Sequence, residues 1–162
     1  MRGLFAVLIL CLSTSVFAVS PGDIAPNFKL KNLATGKADT LKSYRGKVVY
    51  LDFWASWCGP CRQSLPLLNG LRKELKNKGF EVIAVNLDEN LSDATDFLKQ
   101  FPVTYPVLLD PNGKVPSHYN LPGMPTSYLI DRKGRIQKIH VGFKEKDIED
   151  IRKSAISLLK SK

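Results

Sequence analysis

The stretch Val48-Val49-Tyr50-Leu51-Asp52-Phe53-Trp54-Ala55-Ser56-Trp57-Cys58-Gly59-Pro60-Cys61 decides how the chain is read. Val48 to Phe53 is apolar and β-branched, the pattern of a buried strand, and the residues after Cys61 carry leucines at helical spacing. Cys58 is therefore expected at a helix N-terminus, where unpaired N–H groups and the positive end of the helix dipole favour a thiolate. Two thiols separated by two residues can close one disulfide without moving the backbone far. A two-electron redox switch is the first reading, in which Cys58 attacks and Cys61, one turn later, resolves the mixed disulfide.

A Cys-x-x-Cys pair has other uses. A closed zinc site takes four ligands, usually as two pairs. The third cysteine, Cys11, lies in the first 20 residues, and His118 and His140 stand far apart with no ligand-type spacing, so no metal is expected. A purely structural disulfide, or two inert buried thiols, stays open on spacing alone.

At 162 residues and 44% apolar content the chain has material for one core and one domain. Its beginning is different in kind. Met1-Arg2-Gly3, the apolar run Leu4 to Leu12 and the small residues up to Ala18 describe an export signal, residues 1–18, cut after Ala18. An uncleaved anchor is the alternative, because Ala18-Val19 prolongs the apolar stretch. Cys11 has Leu10 before it, where a lipoprotein signal has a small residue, and reads as an ordinary member of the run. The address expected is the periplasm or the outer face of the cytoplasmic membrane, with the domain spanning 21–162. After cleavage both remaining cysteines belong to one motif, so the pair does not serve as the staple of a disulfide scaffold.

The chain carries a formal charge of +9, and loss of Arg2 with the signal leaves +8. The excess reads as diffuse: Lys73, Lys76 and Lys78 follow one helix, and Arg152, Lys153, Lys160 and Lys162 belong to the last. No Arg-rich run is interleaved with aromatics, so no nucleic-acid partner is expected. Steering toward acidic partners or an anionic membrane surface is the weaker reading.

The remaining elements follow in order. An alternating piece around Asn27-Phe28-Lys29-Leu30, a Gly36 turn and Thr40-Leu41 form a hairpin. The helix after the cysteines carries Leu65, Leu68, Leu71 and Leu75, is bent by Pro66 and stops near Gly79. Phe80 to Leu87 is a second apolar strand, and Ser92 is the expected N-cap of a helix with Ala94, Phe97, Leu98 and Phe101 on one side. Val107 to Leu109 is a short strand, Asp110 to Gly113 a turn, and a loop or short helix surrounds His118 and Tyr119. Thr126 to Ile130 and Ile136 to Val141 flank the hairpin turn Asp131 to Gly134, and an amphipathic helix with Ile148, Ile151, Ala155, Leu158 and Leu159 closes the chain. Alternation of strands and helices gives an α/β fold with a parallel centre and antiparallel edges.

Asp52-Phe53-Trp54-Ala55-Ser56-Trp57-Cys58-Gly59-Pro60-Cys61, Pro66, and Gly123-Met124-Pro125-Thr126 together resemble the thioredoxin superfamily over nearly the whole domain. The N-terminal hairpin, the inserted helix near 92–101 and the export signal look most like its TlpA/ResA branch of extracytoplasmic thiol-disulfide oxidoreductases. The resemblance implies the thioredoxin fold, a central mixed sheet flanked by helices. It implies an exposed nucleophile at Cys58, a buried resolving Cys61, and no cofactor beyond their redox-active disulfide. It also implies a cis proline at Pro125 that presents the Met124 backbone to an incoming peptide, and a surface around Cys58 shaped by Trp57, Gly59 and Pro60. Asp52 matches the family's buried acid, whose raised pKa would let it take the resolving thiol's proton; an exposed or lysine-held aspartate is the alternative.

Ser64 stands where members of the ResA-like branch often carry a glutamate, which weakens any claim to their particular acid-base tuning and substrate. Partners implied are client proteins with disulfides or thiols, apocytochrome c among them, and a membrane-borne thiol-reducing electron donor, with the protein acting as a monomer. Gly-Pro between the cysteines matches reducing thioredoxins. Two rivals stand beside this reading: a thiol peroxidase, suggested by Ala25-Pro26-x-Phe28-x-Leu30, and a chaperone that binds peptides beside Pro125 without turnover.

Overall fold

Two mostly apolar runs, buried from end to end, pair in parallel at the centre of the sheet: β3 (Val48–Trp54) and β4 (Phe80–Asn86), in register from Val48 opposite Phe80 to Trp54 opposite Asn86. The computed structural model describes residues 19–161, so the export signal, its cleavage site and Cys11 lie outside the described residues. The hairpin β1 (Lys29–Asn32) and β2 (Ala38–Thr40) turns at Gly36, whose φ of 69° a glycine adopts without a Cβ penalty. β1 then pairs antiparallel with β5 (Val107–Leu109), which lies parallel to β4. On the other side β6 (Thr126–Ile130) runs antiparallel to β3 and leads into β7 (Ile136–Val141). The strand order is β2-β1-β5-β4-β3-β6-β7.

Side chains alternate across β3. Val48, Tyr50 and Trp54 pack with Leu65, Leu68, Leu71 and Leu75 of α1 (Cys61–Leu75), Phe97 of α2 (Leu91–Gln100), and Ile151 and Ala155 of α4 (Asp147–Lys160). Val49, Leu51 and Phe53 face the opposite layer, with Tyr128 and with Val115 and Tyr119 of α3 (Lys114–Tyr119). Asp52 falls between Tyr50 and Trp54 and so belongs to the α1 face. No helix among the described residues is long and apolar enough to cross a membrane.

Some boundaries differ from those read in the sequence. α1 begins at Cys61, because Cys58, Gly59 and Pro60 form a tight turn ahead of it. Pro66 lies inside α1 without ending it, and a 3₁₀ turn at Lys76–Lys78 leads to left-handed Gly79. The N-cap of α2 is Asn90 rather than Ser92, since Asn90 holds the extended backbone of a cap while Ser92 is already in the first turn.

Candidate active site

β3 ends at Trp54, and the chain turns through Ala55-Ser56-Trp57 before the two cysteines. Cys58 and Cys61 are joined by a disulfide, their Cα atoms 5.4 Å apart. The turn is closed by hydrogen bonds from Cys61 N to Cys58 O at 3.1 Å, Arg62 N to Gly59 O at 3.2 Å and Gln63 N to Pro60 O at 3.1 Å. This corrects one sequence expectation. The first N–H groups of the helix are not bare around Cys58 but spent on the motif's own carbonyls, leaving the helix dipole to favour a thiolate there.

Cys58 retains 3% of its surface and Cys61 none. The expected exposed nucleophile is thus a nearly buried residue in the disulfide form, though it is the one of the pair that solvent reaches. Around it Trp57 is 68% exposed, and Gly59 and Pro60 are exposed as well. Met124-Pro125, a cis peptide, precedes β6 at the same end of the sheet, and Met124 packs against the group of side chains that contains Cys58 and Cys61. Pro125 O accepts from Gly142 N at 2.8 Å, whereas among the described residues neither N–H nor C=O of Met124 is hydrogen-bonded. Val141, half exposed, stands beside this segment in register with Thr126. An extended peptide could therefore pair with Met124 while its apolar side chains met Trp57 and Val141.

Behind the disulfide Asp52 is 1% exposed. Ser127, its antiparallel partner, donates a hydroxyl hydrogen bond to Asp52 Oδ1 at 2.6 Å, and Oδ2 has no protein partner among the described residues. Burial lifts the carboxyl to about 7, the Ser127 bond offsetting part of the rise. Burial also raises the phenols of Tyr50 and Tyr105, and the nearby Asp52 carboxylate adds to both. Tyr105 donates to Leu65 O of α1 at 3.2 Å, and alternation along β3 puts Asp52 on that same α1 face with Tyr50 and Trp54. The alternatives of an exposed or lysine-held aspartate do not describe it. Ser64, buried in α1, donates to Cys61 O at 3.3 Å.

Two contributors were missed in the sequence. Ser127 is one, a small polar residue whose link to Asp52 depends on strand register. Asp88, 5% exposed on the loop after β4, is the other. Its carboxylate accepts from Ser56 N at 3.0 Å, Ser56 Oγ at 2.9 Å and Asn86 Nδ2 at 2.7 Å, tying the segment that carries Trp57 and Cys58 to the end of β4. Nothing in Asp88-Glu89-Asn90 marks the first acid over the second. Asp88→Ala strands the Ser56 donors and is expected to cost the oxidised protein about 2 kcal/mol, read as a lower thermal midpoint.

A disulfide on the turn between β3 and α1, a cis proline before β6 at the same end of the sheet and a buried acid inside β3, on a sheet of this order, define the thioredoxin-fold class of dithiol proteins. Comparison with known proteins narrows the class. The model of the Redoxin family matches residues 20–154. Thiol-disulfide oxidoreductase ResA of Geobacillus thermodenitrificans is 37% identical over 145 residues, covering 90% of this chain and 82% of the relative. ResA of Bacillus subtilis is 34% identical over 148 residues, covering 86% and 82%. Among solved structures, a Chlorobium tepidum protein assigned as thiol:disulfide interchange protein DsbE superposes with a TM-score of 0.84 at 46% identity, covering 88% of this chain and 99% of that one. The chain belongs to the Redoxin family and, within the thioredoxin superfamily, to its TlpA/ResA-like thiol-disulfide oxidoreductases.

Proposed function

We propose that this oxidoreductase is exported and reduces disulfides in client proteins at the periplasmic or outer face of the cytoplasmic membrane. Cys58 thiolate attacks a client disulfide, forming a Cys58–client bond and releasing one client thiolate. Asp52 accepts the Cys61 proton, directly or across one water, and the Cys61 thiolate then displaces the second client sulfur from Cys58. The two electrons of the dithiol pass to the client, and the Cys58–Cys61 disulfide remains. A membrane-borne thiol donor restores the dithiol, and no cofactor besides the cysteine pair takes part. Client backbone pairs with Met124 ahead of Pro125, while Trp57, Gly59 and Pro60 form the surface it meets. Apocytochrome c thiols held as a disulfide are one client of the right chemistry, met by a monomer.

The observation that carries this reading is the buried Asp52 on the Cys61 side of the sheet. An acid that can take one proton near neutral pH is matched to the resolving thiol and not to the attacking one. A carboxylate near the pair also opposes thiolate charge, which disfavours the dithiolate and makes the disulfide harder to reduce. Equilibration against a glutathione series is expected to give a potential nearer thioredoxin's (about −270 mV) than DsbA's (about −120 mV). A value at the oxidising end would reverse the direction of electron flow proposed here.

A further inference from the structure

Part of the basic excess, diffuse in the sequence, comes together at one pole of the fold. Arg132 donates to Gly46 O at 2.9 Å and to Leu159 O at 3.2 Å, and its guanidinium lies against Gly79. Arg45 occupies the space beside Gly134, and Arg135 donates to Gly22 O at 3.0 Å. Lys76, Lys78 and Lys133, all exposed, flank these three arginines. The loops before β3 and β4, the β6–β7 turn and the end of α4 thus meet in one positive surface.

Two acids lie at the same pole and keep their charge, Asp131 under the N–H groups of Lys133 and Arg135 and the amide of Gln137, and Asp23 under Ser20 N, so the six cations outweigh them by four charges. Glu81 is held by Arg72 and reached by Lys47 at 4.0 Å. Among the described residues, none of the six flanking and central cations forms an ion pair with a carboxylate.

The start of the described chain lies at the same pole, where Gly22 N donates to Ile136 O at 2.7 Å. The 18 residues before Val19 include the apolar run Leu4 to Leu12. We propose that this pole docks on an anionic lipid surface, its lysines and arginines against headgroup phosphates beside the point where the apolar run joins the domain. Where the run is kept as the uncleaved anchor, it tethers the domain from Val19, and the basic surface at that end of the fold supplies the second of the two signals that stable membrane attachment needs. That adjacency favours lipid over an acidic protein as the occupant. Cys58 and Cys61 lie beyond the other end of β3, a seven-residue strand of about 20 Å. The docked domain therefore presents its disulfide away from the headgroups, and whatever re-reduces it must reach at least that far above the surface.

The test is sedimentation of the full chain with vesicles of phosphatidylcholine alone or with about 30% phosphatidylglycerol, at about 50 and about 500 mM NaCl. Partition onto the anionic vesicles is expected to exceed that onto neutral ones by about tenfold or more at low salt and to lose that excess at high salt. Lys76→Glu, Lys78→Glu and Lys133→Glu together should abolish the excess with thermal midpoint and disulfide reduction unchanged. The charge-matched set Lys29→Glu, Lys114→Glu and Lys144→Glu, at the disulfide end, should keep it. Equal partition onto both vesicles, or equal loss in both sets, would overturn the proposal. So would full displacement by polyglutamate at charge parity, which would mark an acidic polypeptide as the better occupant.

Discussion

Cys58→Ser is expected to lower the rate of disulfide exchange by at least about 10³-fold, because serine's hydroxyl is not ionised near pH 7 and its oxygen cannot form the mixed disulfide. The fold should survive, since the residue sits on a turn and the swap changes one atom. The disulfide closes a loop of only a few residues, and its loss is expected to cost less than about 3 kcal/mol. Insulin reduction coupled to a thiol donor gives the rate, and thermal unfolding gives the stability. The experiment also separates catalysis from a chaperone role: full retention of client function by the serine variant would place the activity in the peptide-binding surface and not in the thiols.

Asp52→Asn should have two effects of opposite sign. The carboxyl has a folded pKa of about 7 against an ordinary 3.8, so the folded state holds its proton more tightly than the unfolded chain. Stability therefore falls as pH rises from about 4 through 7, and above that range the full cost of an ionised buried acid is present. Asparagine removes that cost. The variant is expected to be more stable than the parent by up to about 4 kcal/mol at pH 8, with no difference from this source below pH 4. Turnover should move the other way, slowing by about 10²-fold near pH 7 as the acceptor for the Cys61 proton is lost. Denaturant unfolding and insulin reduction measured across the same pH range report both. A parent whose stability does not fall between pH 4 and 8 relative to the variant would mean that Asp52 is not held as described.

The parts of this protein that were legible in its sequence are those written in local pattern. Val48 to Phe53 and Phe80 to Leu87 read as strands because both faces are buried and the runs are apolar but for Asp52 in the first and Glu81 and Asn86 in the second. The leucines from Leu65 to Leu75 read as one helix face because their spacing survives Pro66. Asp52 was picked out by the resemblance to the thioredoxin superfamily and not by pattern alone, since Glu81 is likewise a charge inside an apolar strand. Features made by juxtaposition were not legible. Ser127 meets Asp52 only through the β3–β6 register, and Asp88 meets Ser56 across 32 residues of chain. The hydrogen bonds that shift the start of α1 to Cys61 belong to the turn's backbone, which no side-chain pattern reports. The basic pole combines cations from three separate segments, each of which alone resembles an ordinary solvated face.

The most direct test of the separate roles of the two cysteines is reaction of Cys61→Ser and Cys58→Ser, each fully reduced, with a small aromatic disulfide that releases a coloured thiolate. Cys61→Ser should release one equivalent quickly and stay locked as a 1:1 mixed disulfide on Cys58, identified by peptide mass. Cys58→Ser, its remaining thiol without exposed surface, should react slower by about 10²-fold or more. Equal rates from the two variants, or an adduct forming faster on Cys61, would contradict the assignment of Cys58 as nucleophile and Cys61 as resolver.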